Sequence, residues 1–190
     1  MNWLMASHNP SNERKLRNEA SIGSTAMIER SMAPLTDGHL RRLSEIAEKD
    51  REGLFTRNPR LAVYRDRILL TALCQGAALH FVNGTNGVKD LDVYTFYAAD
   101  PGVGYPYRRR GVVDFGDSEL GRHPDDHGFR GRRVDLLGRT LKVDPAADPL
   151  AAIRSYLRAR ATKTAKELSK KAVVVTDPGE RFGQVVWPLP

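Results

Sequence analysis

Two aspartates inside a strand place the tightest constraint on what this chain can fold into. Residues 89–98, KDLDVYTFYA, are β-branched or aromatic at most positions and form a strand pattern. Asp90 and Asp92 stand at i and i+2 within it, so period-two alternation sends both side chains to one face. Two bare carboxylates on one face repel each other and raise one another's pKa. An edge strand whose acidic face meets solvent resolves the conflict. So does a hard divalent cation, since Mg²⁺ is commonly held by one or two carboxylates plus substrate phosphates. A third acid has a matching context: Asp135 lies between Val134 and Leu136 in RRVDLLGRTL, residues 132–141, which read as another strand. Three strand carboxylates can bridge two metals about 4 Å apart, the arrangement used for in-line phosphoryl or nucleotidyl displacement.

The flanking segments supply helices. Thr36 suits the N-cap of a helix running to about Glu52, with Leu40, Leu43, Ile46 and Ala47 on one face. A second helix is expected to start near Pro59 and to carry Leu61, Tyr64, Ile68 and Leu69. The run TALCQGAALHFVNG, residues 71–84, is apolar and small, is interrupted by Gly76, and ends in a turn signal. A loop rich in Gly, Pro and Arg is expected from about Asp100 to Arg130. Asp148 caps a helix with Pro149 at its first position. That helix is predicted to reach about Lys170, with Ile153, Leu157, Ala161, Ala165, Leu168 and Ala172 on its inner face. AVVVT, residues 172–176, forms a short strand. The expected fold class is α+β: a small mixed sheet packed against helices, with a C-terminal basic helix. Residues 1–33 read as a flexible leader and 34–190 as a single domain, and Met27 and Met32 leave open a start further in.

Composition narrows the class of protein. Hydrophobic residues make up 41% of the chain, enough for a core, and no apolar run approaches the roughly 20 residues a membrane helix needs. The apolar start is too short for a secretory signal. The single cysteine, Cys74, lies in an apolar run without an activating cation, so it reads as a core thiol. The expected compartment is the cytoplasm. The net charge is +7, and residues 150–171 hold seven basic side chains against Glu167 alone. Within that segment Lys163, Lys166 and Lys170 share one helical face, preceded by Arg154, Arg158 and Arg160. Such a face either is solvated or binds an anion, an RNA backbone or a nucleotide triphosphate. No aromatic residue interleaves with the lysines, which argues against base stacking. Arg108, Arg109, Arg110, Arg130, Arg132 and Arg133 flank the proposed third-aspartate strand. They suit phosphates or belong to a solvated loop balanced by nearby acids. The segment RHPDDH, with His123, Asp125, Asp126 and His127, fits no zinc spacing. It reads as a polar turn with room to act as a lid.

The order of these signals carries a resemblance. A glycine opening a helix lets backbone N–H groups approach a phosphate, and here Gly76 and the segment Ala77-Ala78-Leu79-His80 precede the Asp-x-Asp strand. CQGAALHFVNGTNGVKDLDVYTF resembles the signature of the nucleotidyltransferase superfamily with the polymerase β-like fold. It looks most like the version in AbiEii-like bacterial toxin and phage-defence nucleotidyltransferases. The resemblance spans Ile68 to Leu141 and differs at Ala77 and Ala78, where the family has Ser, Gly or Thr, and at Val88-Lys89, where a Ser or Thr is common. It implies that Gly76 and Ala77, with Lys89 beside the acid pair, bind the nucleotide. Asp90, Asp92 and Asp135 would hold Mg²⁺ or Mn²⁺, with Asp135 also activating an acceptor hydroxyl. Arg132, Arg133, Arg158, Lys163, Lys166 and Lys170 would bind RNA or another anion. The implied partners are an NTP, an RNA acceptor and a cognate antitoxin or other protein, with no membrane. The competing expectation is a non-catalytic module of the same fold that binds RNA or a partner protein.

Overall fold

The structure is a computed structural model that describes residues 30–106 and 111–188. The expected leader therefore falls, up to residue 29, outside the described residues, as do Arg108, Arg109 and Arg110. Six strands form one sheet: β1 Ile68–Cys74, β2 Asp90–Ala98, β3 Gly111–Asp114, β4 Arg133–Leu141, β5 Ala172–Asp177 and β6 Val185–Trp187. Their order is β3-β4-β2-β1-β5-β6. β2 and β4 pair in parallel and the other neighbours are antiparallel. The architecture is thus α+β with a mixed sheet.

Helices cover both faces. α1, Asp37–Arg57, begins where Thr36 Oγ1 accepts the His39 N–H while His39 Nδ1 accepts the Thr36 N–H. That reciprocal cap satisfies two otherwise unpaired donors. α1 and α2, Gln75–Asn83, lie on one side, where Leu40, Leu43 and Ala77 pack against Leu91, Val93, Val134 and Leu136. α3, Pro149–Ala159, and α4, Lys163–Leu168, lie on the other, where Ile153, Leu157 and Leu168 meet Leu70, Ala72, Cys74 and Phe96. Each such fully buried aliphatic or aromatic side chain contributes about 1.5–3 kcal/mol. No helix among the described residues is long and apolar enough to cross a membrane.

Three expectations are corrected. The helix expected at Pro59 is a 3-10 helix, Pro59–Arg67, and Ile68 and Leu69 open β1 instead. β1 lies between β2 and β5 and is buried on both faces, so it carries no polar alternation to mark it as a strand. The loop from Asp100 to Arg130 contains β3, which pairs with β4. The single basic helix expected from Asp148 to Lys170 is broken at Arg160, which adopts φ 48° in the left-handed region. The Thr162 hydroxyl then caps α4 by accepting the Ala165 N–H, and it also bonds the Tyr156 hydroxyl at 2.9 Å. The break lets Ala165 and Leu168 reach the core and leaves Ala161, expected on the inner face, exposed.

Candidate functional site

β1 passes into α2 through one residue. Gln75 has φ 63°, a conformation glycine adopts easily and other residues rarely do. The N-cap, Cys74, makes no side-chain capping bond, so no cap side chain meets the first N–H groups of α2. Two other segments converge on this point. Ser31 and Val88 exchange backbone hydrogen bonds of 2.9 and 2.8 Å, which brings Arg30 alongside, donating to the Gly87 carbonyl. Lys171 arrives from the opposite side because Ala172, the first residue of β5, bridges to Gln75.

The result is a cleft of about 170 Å³. Five residues singled out from the sequence line it: Gly76, Ala77, Lys89, Asp90 and Asp92. Arg30, Gln75 and Lys171 complete it, and sequence reasoning missed these three. The space in front of Gly76 is ringed by nitrogen donors. A Cβ placed on Gly76 would lie 3.0 Å from Asn86 Nδ2, 3.6 Å from the Arg30 guanidinium and 3.7 Å from Lys171 Nζ. Asn86 also donates to the Gly76 carbonyl at 2.9 Å, which fixes the turn. Cations and backbone amides at one end of the cleft, with carboxylates at the other, suit a phosphate chain accompanied by a hard cation.

Asp92 sits opposite Cys74 on β1 and opposite Asp135 on β4, while Asp90 is opposite Arg133. Asp90 and Asp92 therefore share one sheet face, as alternation predicts, and the parallel register of β2 and β4 brings Asp135 to the same face. Asp135 is half-buried, and its Oδ1 accepts from Arg133 Nε at 3.0 Å. Among the described residues no three His, Cys, Asp or Glu side chains converge into a metal cage. The donor set that faces the cleft is two carboxylates. That fits a Mg²⁺ or Mn²⁺ ion whose remaining positions are filled by water and phosphate oxygens. The acidic potential extends down the same face. Burial, then the Asp92 charge, pushes the Cys74 thiol well up. Burial, followed by Cys74 and Asp92, raises Tyr94 as well, against a smaller opposing effect of Arg139. Cys74 is thus a protonated core thiol, as the sequence indicates.

A folded loop, residues 115–132, lies beside the acids. Burial opposes ionisation of the Asp114 carboxyl at its neck. N–H groups of Arg130, Gly116 and Gly131 outweigh that effect and hold it below its ordinary value. Gly131 passes so close to the Gly116 carbonyl that no Cβ fits there. Phe115 and Leu120 are buried, and Arg132 is buried with them, its Nε donating to the Leu120 carbonyl at 2.8 Å. Arg132 thus braces the loop from inside, away from the anion-facing position expected for it. Arg133 holds Asp135 and approaches Asp126. The segment read as a polar turn contacts the site at several points: Lys89 pairs with Asp125 at 3.0 Å, and the buried His123 bonds Asp90. The signal for this was available. A loop carrying Phe115 and Leu120 has residues to bury, and a folded loop can bury a histidine too.

The remaining basic candidates lie elsewhere. Arg158 on α3, Lys163 and Lys166 on α4, and Lys170 in the turn after α4 are exposed and do not line the cleft, and Lys170 pairs with Glu167 at 2.9 Å. Of the basic segment, it is Lys171 that enters the cleft. No protein-family model, curated protein or solved structure matches this chain.

Proposed function

We propose that this protein is a metal-dependent nucleotidyltransferase of the polymerase β-like type, transferring a nucleoside monophosphate from an NTP to an acceptor hydroxyl. One observation carries the reading: Asp90 and Asp92 open into the same cleft as the Gly76 turn and the cations Arg30 and Lys171. The phosphate chain lies against the start of α2, between Arg30 and Lys171, with the Asn86 amide beside it. Asp90 and Asp92 hold the divalent ion. When bound, Mg²⁺ supplies charge neutralisation at the phosphate oxygens undergoing displacement. Asp135, oriented by Arg133, takes the proton of the acceptor hydroxyl. The hydroxyl oxygen forms its bond to the α-phosphorus as the bond to the bridging oxygen breaks, and pyrophosphate leaves. The acceptor is an RNA 3′ end, a protein side chain or a small molecule, and the exposed lysines of α4 suit an RNA backbone. A role in a toxin–antitoxin or phage-defence system, in the cytoplasm, belongs to the same proposal.

The Asp135–Arg133 ion pair favours one competing reading, a non-catalytic module of this fold that binds RNA or a partner protein. Titration calorimetry of each NTP, with and without Mg²⁺, separates the two. Metal-dependent binding by the wild type that is lost in the D90A/D92A double variant supports the enzyme. No saturable Mg-NTP binding, with salt-sensitive RNA binding retained, refutes it.

A further inference from the structure

The histidine beneath the cleft is held with unusual definition. His123 is 3% exposed. Its Nδ1 accepts the backbone N–H groups of Asp125 and Asp126, both at 3.1 Å. A nitrogen that accepts two N–H groups carries no proton, so the ring proton sits on Nε2. Nε2 lies 2.8 Å from Asp90 Oδ1 and donates to it. Asp126 Oδ2 is 3.3 Å from Nδ1 and is itself approached by Arg133. The backbone of one loop thus selects the tautomer, and the tautomer fixes one oxygen of a cleft carboxylate.

We propose that His123 is a positioning residue that locks the Asp90 carboxylate, occupying Oδ1 and leaving Oδ2 to take a divalent cation. The inference rests on the preceding reading, in which Asp90 and Asp92 hold the metal of a metal–polyphosphate substrate. Rotation of Asp90 would leave a buried Nε2–H without its acceptor, which is unfavourable. That penalty keeps the carboxylate in place before any ligand arrives. Outer partners of this kind orient metal-binding carboxylates, and their loss costs roughly 10- to 100-fold in metal affinity.

The test uses the full chain and Mn²⁺ alone as the probe, followed by loss of the free-ion EPR signal. H123F fills the ring's space without a donor, and H123Q returns an N–H near the place of Nε2. The expected result is Mn²⁺ binding about 10- to 100-fold weaker in H123F and largely restored in H123Q, with metal-free tripolyphosphate binding unchanged in both. Equal Mn²⁺ affinity in wild type and H123F overturns the role of His123 while leaving the metal site standing. A wild type that binds no Mn²⁺ removes the metal site, and the positioning role with it. Should H123F not fold, the imidazole ¹⁵N spectrum of the wild type decides. A proton on Nε2 whose signal shifts in D90N supports the proposal, and a proton on Nδ1 overturns it.

Discussion

Replacing Gly76 with alanine should separate stability from ligand capture. Gly76 is the second residue of α2, where alanine gains up to about 1 kcal/mol of helix propensity. The added methyl meets Asn86 Nδ2 at 3.0 Å, so that amide must retreat by a few tenths of an ångström. Asn86 makes a 2.9 Å bond to the Gly76 carbonyl, and weakening it costs about 1 kcal/mol. The two effects oppose each other, and the net change in stability should stay within about 1 kcal/mol. Binding is another matter. The methyl would stand 3.6 Å from the Arg30 guanidinium and 3.7 Å from Lys171 Nζ, in the space a phosphate oxygen must enter to meet both. Losing one charge-assisted hydrogen bond of about 1.5–3 kcal/mol weakens binding roughly 10- to 100-fold. Thermal unfolding and calorimetry with ATP and Mg²⁺ read the two quantities separately. An unchanged melting temperature with unchanged ATP affinity would refute the placement of the phosphates at Gly76. A loss of several kcal/mol in stability would refute the packing argument.

Two further substitutions test the frame around the site. R160G should raise stability by up to about 1 kcal/mol, because glycine relieves the left-handed conformation that divides α3 from α4. If residues 149–168 were one continuous helix, the same change would lower the melting temperature by a similar amount. D114N removes a carboxylate that accepts three backbone N–H groups at the loop neck, so it should melt earlier than wild type at neutral pH. Asp114 titrates below its ordinary value of 3.8, so its contribution is present above that value and is lost as the pH falls through the lower one. The gap between wild type and D114N, followed by thermal unfolding from pH 7 downward, should therefore close in that acid range. A gap that widens there would show that Asp114 does not hold the neck as an anion.

What the sequence made legible was local. Asp90 and Asp92 share a face because strand alternation needs no tertiary information, and Thr36 and the Asp148-Pro149 pair mark helix starts by their own chemistry. β1 was hidden because a strand buried on both faces and a buried helix have the same apolar composition. The break at Arg160 was hidden because arginine gives no sign of a left-handed turn. Arg30 and Lys171 reach the cleft through pairings at Ser31–Val88 and Gln75–Ala172, contacts between segments far apart in the chain. Lys171 differs from Lys170 only in standing next to the residue where β5 begins. His123 lay inside a segment whose composition is polar, and only the fold of the loop around it shows that it is buried.

The conformation of Gln75 sets stability against activity at one residue. Elsewhere among the described residues, the chain makes its left-handed turns with glycine at positions 84, 87, 116, 121 and 183, with Arg160 the other exception. A side chain held at φ 63° costs about 1 kcal/mol relative to glycine, and here that side chain is an amide facing the cleft. Selection for thermal tolerance alone would replace Gln75 early, and the hardier protein would have lost a polar group from its binding surface. Heat-selected libraries of this fold should therefore be screened for ligand binding at every round, since one of the two accessible gains of this kind lies inside the site.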